Sequence, residues 1–389
     1  MSRAAPGGDG PSAAERALAL RALVAAPGAE AQRAVIAGLL SRPEPVTVAA
    51  VLAALARREA IAAVAPEQVE ACAAALAASG TALHLPGRAG YPSRLAQAWP
   101  ELGAPAWLLV QAPGGRLPEQ PTVGVIGTRR PTLPGRRLAA ELGRRLAEAG
   151  VCVVSGLARG IDQAAHRGAL EAEGATVGVA GCGLDVDYPQ GERALRAAIA
   201  HAGGLVSELP PGTPPRPHRF LARNRIIAGL CDAVVVVEGP ARSGALHTAR
   251  LAAAQGREVW AAPGNLHAAT AQAPLALIRD GAHVLTALDD LIAAVVTPGG
   301  AAASDGAAPG GTRPAAHPAA TARRRTAEAG LGPEERAILA LLDPAEPASL
   351  GALAEAAGLA VPAVTAAVGA LVTGGLARQT AQGVTAAQP

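Results

Sequence analysis

Phe220 is the only phenylalanine in the chain, and it stands in a run of cations and hydrogen-bond donors: Arg216, His218, Arg219, Arg223, Asn224 and Arg225. No carboxylate falls between Arg216 and Arg225. Guanidinium groups neutralise phosphates, and an exposed ring stacks on an unpaired base for roughly 1–3 kcal/mol. The pattern therefore fits a single-stranded nucleic acid. It fits equally the start of a helix with Phe220 in the core and the arginines on a solvated face.

Four short segments could add anion contacts. They are Gly127-Thr128-Arg129, then Ser155-Gly156-Leu157-Ala158-Arg159-Gly160 running into Ile161-Asp162, then Gly181-Cys182-Gly183-Leu184-Asp185 with Tyr188-Pro189, and Arg242-Ser243-Gly244. Each follows an apolar, strand-like run. Small residues at a helix start leave backbone amides open, and the macrodipole favours negative charge there. Glycine after a strand also serves simply as a tight turn. Arg129, Arg159, Arg223, Arg225 and Arg242 in or near these loops favour a row of phosphate sites over turns alone. No G-x-G-x-x-G follows the first run, which disfavours NAD or FAD.

Residues suited to catalysis are present but do not assemble into a set. Asp162 and His166 lie four apart and could share a metal or a proton, yet no third ligand is spaced to join them, and capping or core hydrogen bonding is the simpler role. Ser155 is not in a G-x-S-x-G elbow. Asp185 and Asp187 read as turn caps, and Glu208 and Glu238 end strands without a nucleophile in reach. Neither a metal nor a cofactor is expected. Cys72, Cys152, Cys182 and Cys231 show no metal or redox spacing and read as buried free thiols in a reducing cytoplasm.

The elements that must position these residues follow from apolar patterning. Half of the 389 residues are hydrophobic, enough for two or three domains. The net charge is only +3, so any nucleic-acid contact must be a local patch. There is no lysine; all 34 basic residues other than histidine are arginine. Residues 1–12 read as a disordered tail with no signal-peptide pattern, and no apolar run reaches the ~20 residues of a membrane span. Residues 13–115 read as a small helical module plus an irregular bridge ending in a strand near Ala106–Val110. From Pro121 the pattern changes. Strands are expected at Val123–Gly127, Val151–Ser155, Val177–Cys182, Gly204–Ser207, Ala233–Glu238 and Glu258–Ala262, with helices at Leu133–Ala149, Asp162–Ala172 and Gly244–Gln255. This alternation implies a doubly wound, mostly parallel α/β domain over 116–296. Residues 297–330 read as a flexible linker. Residues 331–389 suggest a winged helix-turn-helix, with helices at Glu334–Leu342, Leu350–Ala356 and Val361–Thr373. Two arginines against five carboxylates leave that module at −3, and its third helix has no cation, which favours protein contact over DNA.

Taken in order, the motifs resemble the DNA-processing protein A (Smf) family over roughly 121–292. The resemblance rests on Gly127-Thr128-Arg129, Ser155 through Asp162 with His166, Gly181 through Asp185 with Tyr188-Pro189, and Ser207-Glu208. It continues through Phe220, Arg223 to Gly229, Ser243 to Leu246 with Thr248-Ala249, and Pro263-Gly264. It implies an extended Rossmann-like fold flanked by a helical domain resembling a sterile-alpha-motif and by a winged helix. It further implies a cytoplasmic homodimer, without enzymatic activity or cofactor, that binds single-stranded DNA and loads the RecA recombinase in natural transformation. The expected DNA contacts are Gly127, Thr128, Arg129, Ser155, Gly156, Arg159, Gly160, Arg216, Arg219, Phe220, Arg223, Asn224, Arg225, Arg242, Ser243 and Gly244. Leu221 and Ala222 stand where the family commonly has proline and a basic residue, and Ala273-Pro274-Leu275 replaces a Gly-x-Asn. Two rivals are weaker. A Rossmann-like nucleotide phosphoribohydrolase would need a P-G-G-x-G-T-x-x-E motif, but Asn265 follows Pro263-Gly264. A winged-helix transcription regulator is disfavoured by the acidic tail.

Overall fold

The computed structural model describes residues 10–25, 32, 35–36, 39–40, 46–100, 103–296, 332, 334–335, 338–339, 342, 349–357, 359–373, 377–380 and 383–386. The chain divides into two compact units, Met1–Ser304 and Asp305–Pro389. Most of the expected N-terminal tail, all of the expected linker and much of the helix expected at Glu334–Leu342 lie outside the described residues.

The first unit begins with α1 (Ala13–Ala25), α2 (Val48–Ala56), α3 (Glu59–Ala62) and α4 (Pro66–Ala78). Thr47 caps α2 by accepting from the Ala50 amide at 3.1 Å. The apolar faces of these helices, including Leu23, Val51, Leu52 and Leu55, close over Trp107 and Leu109 at one end of the sheet.

The remaining elements are β1 (Ala82–His84), α5 (Ser93–Ala96), β2 (Leu108–Gln111), β3 (Thr122–Ile126), α6 (Leu133–Glu148), β4 (Cys152–Ser155), α7 (Ile161–Glu171) and β5 (Thr176–Val179). They continue with α8 (Arg193–Ala202), β6 (Gly204–Ser207), α9 (Pro217–Leu230), β7 (Ala233–Val236), α10 (Gly244–Ala254), β8 (Glu258–Ala261), α11 (Gln272–Arg279), β9 (His283–Val284) and α12 (Leu288–Val296). Among the described residues, nine strands form one sheet in the order β1-β2-β6-β5-β4-β3-β7-β8-β9. Strands β3 to β9 pair in parallel, while β2 runs antiparallel to both β6 and β1.

Strands β3, β4, β5 and β7 are buried at every position, as a parallel sheet covered on both faces requires. Helices α6, α7 and α12 cover one face, and α5, α9, α10 and α11 the other. This is the doubly wound α/β domain expected from the sequence. Strand β5 ends at Val179 rather than Cys182, because Gly181 and Cys182 already turn away toward the loop that carries Tyr188. The chain winds outward from β3 through β4 and β5 to β6. It then returns across the sheet through α9 to lay β7 beside β3. The strand order therefore reverses between β3 and β7, and open α/β sheets place ligands beyond the strand ends at such a point.

In the second unit, α13 (Leu350–Ala357) and α14 (Val361–Thr373) precede an antiparallel hairpin, β10 (Ala377–Thr380) and β11 (Gly383–Ala386). Leu353, Val364, Val368, Leu371, Ala377 and Val384 form its core with Ile338. The helices expected at Leu350–Ala356 and Val361–Thr373 are thus present, followed by a hairpin.

Candidate nucleic-acid interface

The loops after β3 and β4 are locked together at the switch point. Thr128 donates its amide to the Glu238 carbonyl at 2.7 Å and accepts from Ile161 at 3.3 Å. Gly160 holds φ at +94°, and a Cβ there would lie 2.4 Å from the Thr128 carbonyl, so only glycine fits. The buried Asp162 carboxylate accepts from the amides of Gly156 (3.2 Å) and Ala158 (3.3 Å), tying the loop to the start of α7. Burial pushes Asp162 up to about 6, against the pull of Arg223 and of its hydrogen bonds. Glu238 accepts from the Thr132 amide (2.8 Å) and hydroxyl (2.5 Å), while Thr132 caps α6. A carboxylate is well placed at that helix end.

Helix α9 supplies the aromatic. Pro217 starts it, since a missing N–H costs nothing in a first turn. Phe220 is half-buried, with its ring 5.1 Å from that of Tyr188 at a 33° tilt. The Arg129 guanidinium carbon stands 5.5 Å from the Phe220 centroid and that of Arg223 6.0 Å away, a cation on a π system. A Cβ on Gly181 would come within 2.7 Å of the ring, so the glycine makes room for it. Phe220 is thus neither fully buried nor fully exposed, between the two readings the sequence allowed. It borders a cleft of about 680 Å³ with Arg129, Arg130, Arg216, Asn224 and Ser243 on its walls.

The arginine run does not form a single basic face. Residues 223–230 of α9 are all buried, because the helix packs against α10, α5 and the sheet. Arg223 reaches the cleft from below, donating to the Gly156 carbonyl (2.8 Å) and to that of Val179. Burial lowers it to about 10, so it stays a cation at neutral pH. Arg225 departs from the expected DNA contact altogether. It is buried and bonded to buried Glu208 at 2.6 Å, away from the cleft walls. The stretch lacks carboxylates in sequence, but the fold brings Glu208 and Asp162 to it from other loops.

The other expected contacts are distributed unevenly. Gly127, Thr128, Arg129, Arg216, Phe220, Arg223, Asn224, Ser243 and Gly244 all line the cleft. Arg159 lines an adjoining cleft, and Gly160 shapes the loop beneath it. Ser155 and Gly156 are buried; the Ser155 hydroxyl donates to the Val125 carbonyl at 2.6 Å, and Gly156 is wedged between Arg223 and Asp162. Arg219 turns back to donate to the Pro214 carbonyl at 2.5 Å, and exposed Arg242 stands outside both clefts. Asn224 donates to the Gly244 carbonyl at 3.3 Å, tying α9 to the N-terminus of α10, where Ser243 caps by accepting from Leu246 at 3.2 Å.

Arg130 and Tyr188 also line the cleft and were not among the expected contacts. The signal for both was present, in the position of Arg130 beside Arg129 and in the Tyr188-Pro189 motif. His166 sits in the core with Nδ1 at 2.7 Å from the Thr176 hydroxyl, and burial lowers it to about 3, so it is neutral and does not act with Asp162. No group of three or more His, Cys, Asp or Glu among the described residues could hold a metal. All four cysteines are buried and free. No helix among the described residues is long and apolar enough to cross a membrane.

Comparison with known proteins bears on the same region. The family model described as DNA recombination-mediator protein A matches residues 82–296. A putative DNA processing protein DprA of Mycobacterium tuberculosis is 49% identical over 168 residues, 43% of this chain and 43% of that protein. DNA processing protein DprA of Bacillus subtilis is 41% identical over 169 residues, 43% of this chain and 57% of that one. The aligned part of the chain thus spans about half the length of these relatives. The crystal structure of DNA processing protein A from Streptococcus pneumoniae superposes with a TM-score of 0.57 at 29% identity, covering 70% of this chain and 95% of that one.

Proposed function

This chain belongs to the DNA recombination-mediator protein A family, and on that premise we propose that it binds single-stranded DNA in the cleft at the β3/β7 switch point. The observation that carries the reading is the pairing of a half-open ring with cations. Phe220 lies beside the cleft with Arg129 5.5 Å from its centroid, and Arg130 and Arg216 stand on the walls. An unpaired base can stack on that ring while its phosphates meet the guanidinium groups. A duplex cannot offer the face of an internal base in this way.

The chain acts as a binding protein rather than an enzyme. It protects incoming single strands and passes them to a RecA recombinase during natural transformation and recombination, working in the cytoplasm as a homodimer. The names of its relatives, which speak of DNA processing, support DNA as its ligand.

The test is binding of single- and double-stranded oligonucleotides across a salt series. Single strands should bind more tightly, with log K falling by roughly 0.7 per phosphate contact as log salt rises. Arg129→Ala should reduce that slope by about 0.7 without changing preference among base sequences. Equal affinity for both forms, or a flat salt dependence, overturns the reading.

A further inference from the structure

A second cleft, of about 590 Å³, adjoins the Phe220 cleft, and the two share Arg129, Arg130, Ala158, Tyr188 and Pro215. Tyr188 is the aromatic residue common to both. Its ring packs on that of Phe220 at 5.1 Å with a 33° tilt, an offset pair too close to admit a base between the rings, so a base can stack on either ring only from the side turned away from the other. The backbone beneath the ring is anchored: the Tyr188 amide donates to Val186 at 2.9 Å, and its carbonyl accepts from Arg196 at 3.1 Å. Arg196 is itself buried and also donates to the Leu184 carbonyl at 2.8 Å. The ring stays half-exposed and its hydroxyl has no protein partner among the described residues.

The far wall of this cleft carries exposed Arg159, which makes one long contact, to the Gln190 carbonyl at 3.4 Å. The nearby carboxylate of Asp187 does not cancel that charge, because it faces Arg193 at 3.3 Å and accepts from the Gly191 amide at 3.4 Å. An aromatic platform and a phosphate-sized cation therefore recur one step along from Phe220 and Arg129.

We propose that this second cleft is the subsite for the neighbouring nucleotide of the same single strand, with Tyr188 as its stacking platform and Arg159 as its phosphate contact. The proposal rests on the single-strand reading above. It makes the strand run from the α10 end of the first cleft, over Phe220, to Tyr188 and out past Arg159. It also gives the Tyr188-Pro189 motif a role in binding.

The experiment measures binding of the full chain to an oligothymidylate of about 12 nucleotides, a length within the site sizes of single-strand binders. An abasic deoxyribose-phosphate oligomer of the same length serves as the comparison. Tyr188→Leu should weaken oligothymidylate binding by roughly 5- to 150-fold, the loss of one stacked base, and leave the abasic oligomer unaffected. Tyr188→Phe, which keeps the ring, should bind as the unaltered chain does. Arg159→Ala, an exposed change that does not threaten folding, should lower the salt slope by about 0.7.

If Tyr188→Leu and Arg159→Ala bind normally while Phe220→Leu and Arg129→Ala are weakened, the second subsite is refuted and the single-strand reading survives. If all four bind normally, the single-strand reading fails with it. Equal losses for Tyr188→Leu on both oligomers, or equal losses for Tyr188→Leu and Tyr188→Phe, overturn the stacking role. Should Tyr188→Leu fail to fold, Tyr188→Phe and Arg159→Ala decide the matter, and an unchanged Arg159→Ala slope refutes the subsite.

Discussion

Replacing Arg225 with methionine tests most directly whether this arginine is structural or faces DNA. Its guanidinium meets the Glu208 carboxylate at 2.6 Å, and the two side chains are only 5% and 7% exposed. The Glu208 carbonyl in turn accepts from the Trp107 indole at 2.9 Å. Methionine fills similar space but leaves a buried carboxylate without its counter-charge, a loss of about 3–5 kcal/mol. At roughly 2–4 °C per kcal/mol for a domain of some 200 residues, the melting temperature should fall by on the order of 10 °C. Arg225→Met with Glu208→Leu removes both charges together and should recover most of that loss, since well-packed apolar replacements of buried pairs are often neutral. Calorimetry gives the melting temperatures. The folded single variant should bind single-stranded DNA as the unaltered chain does. A variant that melted normally but lost DNA affinity would refute this reasoning and return Arg225 to the DNA surface.

Phe220→Ala should cost roughly 1–3 kcal/mol of single-strand affinity and less stability than the about 3–5 kcal/mol of a fully buried phenylalanine; a strongly destabilised variant that binds normally would make the ring purely structural. Asp162 ionises near 3.8 in an unfolded chain and near 6 in the fold, so its protonated form stabilises the native state below the lower value, and that contribution is lost as pH rises toward 6. The melting temperature of Asp162→Asn relative to the unaltered chain should therefore decline as pH falls from about 7 to about 5. A relative rise on acidification would mean that Arg223 holds the carboxylate as an anion. Deleting 331–389 should leave most single-strand affinity intact, because that module carries a net −3 charge and α14 has no cation; loss of binding by a folded truncation would contradict this.

The sheet was legible because its central strands are short runs rich in β-branched residues, such as Ala233 to Val236, separated by helix-length stretches. Strands β1 and β9, of three and two residues, carry too little pattern to be seen, and they form only by pairing with strands already in place. The loops of the candidate site were legible from small residues beside arginine. The orientation of α9 was not. Consecutive residues on a helix point to different sides, and which side is buried depends on partners distant in sequence. Arg223 and Arg225 are therefore indistinguishable from Arg216 by type, although one supports the cleft, one pairs with Glu208 and one lines the wall. Tyr188 was visible as part of a motif, but its contact with Phe220 depends on a loop of irregular backbone.

The anchoring of the cleft loops from below bears on the kinetics of association. Arg223 holds the carbonyls of Gly156 and Val179, and Asp162 holds the amides of Gly156 and Ala158, before any strand arrives. The backbone that meets the ligand thus has little freedom left to lose, and the ordering cost falls almost entirely on the nucleic acid. Encounter is then governed by electrostatic steering rather than by a preceding rearrangement of the protein. Mixing experiments should show one phase whose rate rises linearly with strand concentration and falls steeply with salt, with affinity differences among cleft variants appearing mainly in the dissociation rate.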